Sequence, residues 1–332
     1  MRIDGTVSGL PDAARRAAEL ETGGYDAMWT GELNADPFLP LAVAAGETSR
    51  LELGTGIAIA FARSPMTMAY TASDLQRHSR GRLLLGLGSQ VKPHIERRFS
   101  MPWSHPAARM RDYVLALRAI WSSWQRGTRL DFTGEFYRHT LMPRDFVPAS
   151  HEFGPPKVLL AGVGERMTEV AGEVADGFIC HGYTTARWLR ERTLPALHKG
   201  RGSSLDGFEV ASVPFIVTGT DSEIETKLPK LRAQLAFYAS TPAYRGVLDL
   251  HGWGAISTEL TTLSKAGRRT DMAALITDDI LHEFAIIATP AELPARVAER
   301  FGGILTRISF SPPASLAPEA AADLVNRLRT CC

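Results

Sequence analysis

Short apolar runs recur along the chain and alternate with amphipathic segments. The runs lack a regular polar alternation, which is typical of strands covered on both faces. They predict strands at residues 3–7, 25–30, 51–60, 82–87, 157–161, 177–180, 208–217 and 307–310. Apolar positions at helical spacing predict helices after Leu10, from Met110 to Trp124 and over 228–238. Eight strands alternating with helices favour a (β/α)8 barrel, with an open doubly wound sheet as the alternative.

Two segments interrupt this alternation. Residues 131–139 are predicted as a small hairpin that turns at Thr133-Gly134. Residues 241–270 are rich in glycine, lack a steady apolar period and are interpreted as an insertion over the carboxyl-terminal mouth of the barrel. We therefore predict one α/β domain, a TIM barrel that spans residues 1–332.

Composition removes several classes of protein from consideration. The 332 residues carry a net charge of +1, so the sequence lacks the excess of positive charge that is typical of proteins that bind nucleic acid or a membrane surface. No secretory signal precedes the first strand, and no apolar run is long enough to span a bilayer. Cys180, Cys331 and Cys332 form neither a disulfide framework nor a metal pattern. We expect a cytoplasmic protein without a metal that acts on a small molecule.

Glycines follow two of the predicted strands. The first group is Gly86-Leu87-Gly88-Ser89-Gln90, and the second is Gly162-Val163-Gly164. A dinucleotide-binding fingerprint requires a third glycine, but Val91 and Met167 stand at those positions, which disfavours an NAD-binding Rossmann site. The first group would let a flat ring approach the backbone, and the second would bind a phosphate at a helix N-terminus. A plain strand-end turn and ordinary helix capping are the alternatives.

A further pair of glycines, Gly54 and Gly56, lies within a predicted strand. Glycine weakens a strand unless the backbone kinks or something must approach it closely. We interpret the pair as a bulge against one face of a ring, with a strand that tolerates its glycines as the alternative.

Polar side chains lie after two predicted strands. Asp36 is predicted to cap the helix that opens at Pro37, whereas Glu32 is the candidate for a polar contact in a pocket. His94 lies in the first helical turn after Gln90 and is predicted to face the same pocket, although the arginines beside it are equally compatible with a solvated face. The sequence contains no nucleophile elbow and no Walker loop, so no motif supports a hydrolase or a nucleotide-triphosphatase function.

These segments resemble the bacterial luciferase-like superfamily of flavin- and deazaflavin-dependent barrels. Within it, the chain is most similar to the actinobacterial oxidoreductases that depend on coenzyme F420, a deazaflavin. The resemblance runs almost end to end, and its most specific pieces are residues 36–41, 54–61, 63–66, 85–99, 101–103 and 238–244. It implies the barrel, F420 as the cofactor with FMN as the alternative, and a homodimer.

The resemblance also implies a site. A non-prolyl cis peptide bond would lie between Gly56 and Ile57, behind the deazaflavin ring, and a phosphate would bind at the second glycine loop. The implied cofactor-binding residues are Thr55, Gly56, Ile57, Gly88, Ser89, Gln90, His94, Gly162, Val163, Gly164, Cys180, His181 and Gly182.

The implied reaction is hydride transfer between F420 and a small organic substrate. Many relatives carry an acid–histidine pair after the second strand, but here that pair is Glu32-Leu33, so the usual histidine is absent. His94 is the first candidate for proton management and His181 the second, because an imidazole titrates near neutrality, while Glu32 would contact ring or substrate. An FMN-dependent monooxygenase and a non-catalytic cofactor-binding barrel are the alternatives.

Overall fold

The computed structural model describes residues 1–331; Cys332, one of the two terminal cysteines, lies outside the described residues. The strands are, in chain order, β1 (Arg2–Thr6), β2 (Ala27–Thr30), β3 (Glu52–Thr55), β4 (Ala58–Ile59), β5 (Leu83–Gly88), β6 (Phe132–Thr133), β7 (Arg138–His139), β8 (Lys157–Gly162), β9 (Gly177–Cys180), β10 (Glu209–Ser212), β11 (Phe215–Thr218), β12 (Ala285–Ala288) and β13 (Arg307–Ser309).

Helices separate most of these strands. They are α1 (Ala13–Thr22), α2 (Phe38–Glu47), α3 (Pro65–His78), α4 (Lys92–Arg97), α5 (Pro106–Arg126), α6 (Glu165–Val174), α7 (Ala186–Trp188), α8 (Leu194–Arg201), α9 (Asp221–Ala239), α10 (Arg245–Leu250), α11 (Gly254–Lys265), α12 (Arg269–Ala274), α13 (Asp278–Phe284), α14 (Leu293–Phe301) and α15 (Pro318–Thr330). A π-helical stretch, Leu189–Thr193, joins α7 to α8, and 3₁₀ turns cover Ala60–Ala62, Arg144–Phe146 and Pro242–Tyr244.

One sheet contains nine of the strands, in the order β3-β2-β1-β13-β10-β9-β8-β5-β4, with a further pairing between β3 and β5. The pairing is parallel between β1 and β2, β2 and β3, β5 and β8, and β10 and β13. Strands β11 and β12 form a separate parallel pair, and β6 and β7 form an antiparallel hairpin. This order and its alternation with helices agree with the predicted (β/α)8 topology.

The chain divides into two compact units. The amino-terminal unit comprises Asp4–Ile179 and Ala196–Glu209; the carboxyl-terminal unit comprises Met1–Ile3, Cys180–Pro195 and the chain from Val210 onward. The prediction of one domain over the whole chain stays a prediction. No helix within residues 1–331 combines the length and the apolar character needed to cross a bilayer.

The predicted strands all occur, with their ends shifted by one or two residues, and two of them are broken. The run 51–60 splits into β3 and β4, which confirms the bulge, and the run 208–217 splits into β10 and β11. The sequence prediction missed β12. Residues 241–270, which lack a steady apolar period, contain α10, α11 and the first two residues of α12, and their interpretation as an insertion over the mouth of the barrel stays a prediction. The hairpin at 131–139 is confirmed.

Close packing between neighbouring strands explains several glycines of the amino-terminal unit. A Cβ atom on Gly54 would lie 2.4 Å from Cε3 of Trp29, whose indole Nε1 donates a 2.8 Å hydrogen bond to Asp4. A Cβ atom on Gly86 would lie 1.9 Å from the backbone oxygen of Thr55. These contacts are far inside van der Waals distance, so only glycine fits at either position.

The carboxyl-terminal unit has its own apolar core, built mainly from α9, the helices that follow it, and β12. Its buried members include Leu235, Leu248, Leu260 and Phe284. Helix α9 begins with a capping box, in which the Thr220 hydroxyl accepts the N–H of Glu223 and the Glu223 carboxylate accepts the N–H of Thr220. The capping box and the apolar contacts stabilise the helices of this segment, although its sequence has weak helical periodicity.

We predict that Gly86→Ala destabilises the protein by about 3 kcal/mol, because the added Cβ collides with rigid backbone of a neighbouring strand. Gly46→Ala is the matched control, since that glycine lies in α2 with open space around its Cβ position. The control should stabilise the protein by up to about 1 kcal/mol. Urea unfolding of both variants measures the difference, and equal midpoints would contradict the packing described here.

Candidate functional site

The carboxylate of Glu32 is the centre of a charged network in the amino-terminal unit. Its side chain is 8% exposed, and Oε2 accepts the backbone N–H of Ile59 at 2.7 Å and lies 2.7 Å from the guanidinium of Arg63. Arg63 also reaches Asp36 at 3.3 Å. Asp36 in turn accepts the N–H groups of Phe38 and Leu39 at the start of α2, so its predicted capping role is confirmed. The network joins the end of β2, the start of α2 and β4.

The turn between β3 and β4 lies beside this network. The Gly56–Ile57 peptide bond is cis, as the resemblance implied. The carbonyl of Ile57 accepts the N–H of Glu32 at 3.1 Å, and the N–H of Gly56 donates to the carbonyl of Thr30 at 2.7 Å. The backbone of the turn is therefore held from the end of β2, while the Ile57 side chain stays partly exposed.

The Ile57 side chain contacts the end of β5. A Cβ atom on Gly88 would lie 2.8 Å from Cδ1 of Ile57, so the structure brings these two predicted site residues together. Thr55 is fully buried, and its hydroxyl donates to the carbonyl of Gly86 at 2.7 Å. That hydroxyl supports the sheet, and contact of Thr55 with a cofactor stays a prediction.

The loop after β5 carries the next predicted residues. Gln90 adopts a positive φ of 61° and accepts the N–H of Val91 through its own side chain, while the Ser89 hydroxyl donates to the Gln90 carbonyl. His94 lies on α4 with an exposed side chain, and its imidazole has no hydrogen-bond partner within residues 1–331. Its predicted orientation towards a pocket stays a prediction.

The second glycine loop lies at the N-terminus of α6. Gly164 is the N-cap residue, and both it and Val163 are exposed. Nothing lies within 4 Å of the Cβ position of Gly164, whereas a Cβ on Gly162 would lie 2.6 Å from Cγ of Met167. The Cβ position of Gly164 thus faces open space at the positive end of a helix, which suits an anion.

His181 follows β9 in the carboxyl-terminal unit, within a cluster of aromatic rings. Its ring stacks on Tyr244 with centroids 4.6 Å apart and meets the edge of Tyr238 at 4.9 Å. The backbone N–H of Tyr183 donates to Nδ1 at 3.0 Å, so Nδ1 carries no proton and Nε2 carries it in the neutral ring. Burial lowers the pKa of His181. The ring is therefore a neutral hydrogen-bond donor.

Cys180 and Gly182 flank this histidine. Cys180 is buried, and burial raises the pKa of its thiol to about 12, which makes it unreactive near neutrality. A Cβ on Gly182 would lie 2.5 Å from the carbonyl oxygen of Val213, so this glycine is required by the neighbouring backbone. Contact of either residue with a cofactor stays a prediction.

Sequence reasoning missed two residues that shape these sites. Arg63 gives Glu32 its charge partner, and Tyr238 meets His181 edge-on. Both lie in the segments that carried the family resemblance, but nothing in their spacing indicates which side chain they contact. The segment from Tyr244 to Trp253 is expected from the sequence to line the substrate side, and the stacking of Tyr244 on His181 leaves that expectation a prediction. Nowhere in the described part of the chain do three or more His, Cys, Asp or Glu side chains form a group able to hold a metal ion.

Comparison with known proteins identifies the fold and the family. The fold is a (β/α)8 barrel: the solved coenzyme F420 dependent tetrahydromethanopterin reductase from Methanopyrus kandleri matches with a TM-score of 0.76 over 98% of this chain and 97% of that chain, at 19% identity. The family model for luciferase-like monooxygenases matches residues 2–307. The chain belongs to the luciferase-like monooxygenase family, as its sequence indicated.

Two curated relatives cover most of the chain. The uncharacterized protein Rv1360 of Mycobacterium tuberculosis (strain ATCC 25618 / H37Rv) is 48% identical over 93% of this chain and 92% of its own length. The 5,10-methylenetetrahydromethanopterin reductase of Archaeoglobus fulgidus is 23% identical over 88% of this chain and 87% of its own length.

We predict that Glu32→Ala destabilises the protein by about 2–3 kcal/mol, since it leaves the buried N–H of Ile59 and the charge of Arg63 without their acceptor. Glu19→Ala is the control. It removes an exposed carboxylate that pairs with Arg15 and Arg16 on α1, and it should leave the unfolding midpoint almost unchanged. Urea unfolding compares the two, and the network is disproved if both variants lose the same stability.

We predict that His181 stays in the neutral Nε2–H form as the pH falls past its ordinary pKa of 6.5, because burial lowers the folded-state pKa. Long-range ¹H–¹⁵N correlation spectra report the protonation of each ring nitrogen. The unfolded chain takes up the proton at a higher pH than the folded chain, so this histidine makes stability decrease as the pH falls below about 6.5. His181→Gln should remove that contribution. A protonated Nδ1 at neutral pH would contradict the assignment.

Proposed function

We propose that this protein is an oxidoreductase that transfers a hydride between coenzyme F420 and a small organic substrate. The open glycine loop at the N-terminus of α6 is the observation that carries the proposal, because it leaves space beside the N–H donors of a helix N-terminus in a chain of this family. The structural match to an F420 dependent reductase and the full-length similarity to a methylenetetrahydromethanopterin reductase support the choice of F420.

The residues of the amino-terminal unit fit such a cofactor. The phosphate would bind at Val163, Gly164 and the first turn of α6, where no side chain fills the space beside Gly164. The ring would be supported by Ile57, which keeps a partly exposed side chain against Gly88. When bound, F420 supplies a hydride donor and acceptor centred on carbon, without oxygen activation.

Glu32 acts as a positioning residue in this proposal. Its oxygens are already engaged by Ile59 and Arg63, so it orients the β3–β4 turn and does not act as a free acid or base. His181, in the carboxyl-terminal unit, is proposed as a fixed hydrogen-bond donor for a carbonyl or hydroxyl oxygen. His94 remains the proposed group for moving a proton, since its imidazole is exposed.

An FMN-dependent monooxygenase is the second candidate. It rests on the family itself, whose model describes luciferase-like monooxygenases, and on a phosphate site that suits either cofactor equally. The distinction depends on the ring and the reaction, not on the phosphate.

Titration of the cofactor-free protein with F420 and, separately, with FMN distinguishes the candidates. We expect saturable quenching of protein fluorescence by F420 and much weaker binding of FMN. Tight binding of FMN alone would replace the proposal with the monooxygenase. Binding of F420 without turnover of the reduced cofactor by any carbonyl or enone acceptor would favour a non-catalytic cofactor-binding barrel.

We predict that Gly164→Asp weakens F420 binding by at least about tenfold, because it places a negative charge beside the proposed phosphate site. The backbone at Gly164 has φ −104° and ψ 150°, which any residue adopts, and Asp is a favoured N-cap residue, so the fold should tolerate the change. Gly164→Asn is the matched control, with the same shape and capping ability but no charge. Equal affinities of the two variants would exclude a phosphate at this helix end.

A further inference from the structure

A polar cavity lies in the carboxyl-terminal unit, and none of its lining residues is proposed above to bind the cofactor. It has a volume of about 670 Å³, and its charged lining residues are Arg187, Arg190, Arg296, Arg300, Glu283 and Glu299. We call it the arginine groove. Its lining residues come from α7 and Leu189–Thr193, from α13, β12 and α14, and from His251.

Two of the four arginines have no carboxylate partner. Arg300 donates to the carbonyls of His282 and Glu283 at the end of α13, at 2.7 and 3.5 Å. Arg190 donates to the carbonyl of Arg300 at 3.3 Å, which places the two residues side by side. Within residues 1–331, neither guanidinium has a carboxylate within 4.0 Å. Two positive charges therefore line one groove without an ion pair of their own.

The remaining charged residues of the groove have partners of their own, except Glu283. Arg187 binds Glu191 at 2.8 Å, and Arg296 lies 3.5 Å from Glu299. The carboxylate of Glu283 lies 3.7 Å from Nε2 of His251, but burial lowers the pKa of this histidine, so it does not neutralise the carboxylate. His251 also contacts the hydroxyl of Thr185 at 2.9 Å, and His282 is the remaining titratable group of the lining. Glu283 thus offsets part of the charge of Arg300, and the four arginines of the lining still outnumber its two glutamates.

Burial adds to the cost of the charge on Arg300. It lowers the pKa of the guanidinium below its ordinary value, although Glu283 and Glu299 raise it in part. A partly desolvated guanidinium is stabilised by an anion placed near it. The planar donor pattern of arginine matches the paired oxygens of phosphate and carboxylate groups.

We propose that the arginine groove is a binding site for a small polyanion, a molecule that presents phosphate or carboxylate groups to Arg190 and Arg300. The volume of the groove lies within the range of small-molecule sites, so the ligand is of coenzyme or metabolite size and not a macromolecule. The site is separate from the proposed hydride-transfer function, and its occupant need not react.

Isothermal titration of the intact protein with inorganic pyrophosphate and, separately, with citrate tests the site. Pyrophosphate represents phosphate groups and citrate represents carboxylates, so the anion that binds more tightly shows which of the two groups the groove prefers. We expect saturable binding of at least one, weakened by added salt because the attraction is between charges. Absence of binding by both anions at low ionic strength would overturn the proposal.

Arg190→Ala should lower the affinity for the anion by about tenfold or more, which is the loss expected for one charge-assisted hydrogen-bonding pair. Arg192→Ala is the matched control, because Arg192 is an exposed arginine of the same helical stretch that does not line the groove. Arg190→Lys keeps the charge without the planar fork and should retain part of the affinity. Equal weakening by the Arg190→Ala and Arg192→Ala changes would show that only the overall charge matters, which contradicts a built site.

Discussion

The nearly buried carboxylate of Glu32 is the interaction on which the amino-terminal half of the site depends. A charge removed from water costs several kcal/mol unless it is paired and hydrogen-bonded, and Glu32 meets both conditions through Arg63 and the N–H of Ile59. Asp36 shares the same arginine while capping α2. The ends of β2 and β4 and the start of α2 are therefore fixed together, and the turn at Gly56–Ile57 is held within that frame.

The glycines near the strand ends have two different physical causes. At Gly54, Gly86 and Gly88, a side chain would collide with Trp29, with the backbone of Thr55 and with Ile57, so these glycines serve the packing of the protein itself. At Gly164 the space beside the backbone is open, and the helix behind it offers donors. Only the second kind leaves room for a ligand, although both look alike in the sequence.

Most of the architecture could be predicted from the sequence, because buried parallel strands are apolar on both faces and stand out as continuous runs. Strand β12 was missed since Ala285 follows Phe284 of α13 directly, with no turn residue between helix and strand. The helices of 241–270 are short and separated by turns, so no periodic pattern develops. For the candidate site, the sequence singled out Glu32, but its partner Arg63 lies 31 residues away and becomes adjacent only through the fold.

The two kinds of glycine have a consequence for the history of such proteins. A descendant with altered ligand binding would still need glycine at 54, 86 and 88, because selection for a foldable chain would continue to act there. Position 164 could change without loss of the fold, since the helix accepts other capping residues at that backbone conformation. Among barrels of this type, glycine at 54, 86 and 88 therefore reflects a requirement of folding, whereas the residue at the start of that helix can change with whatever binds there.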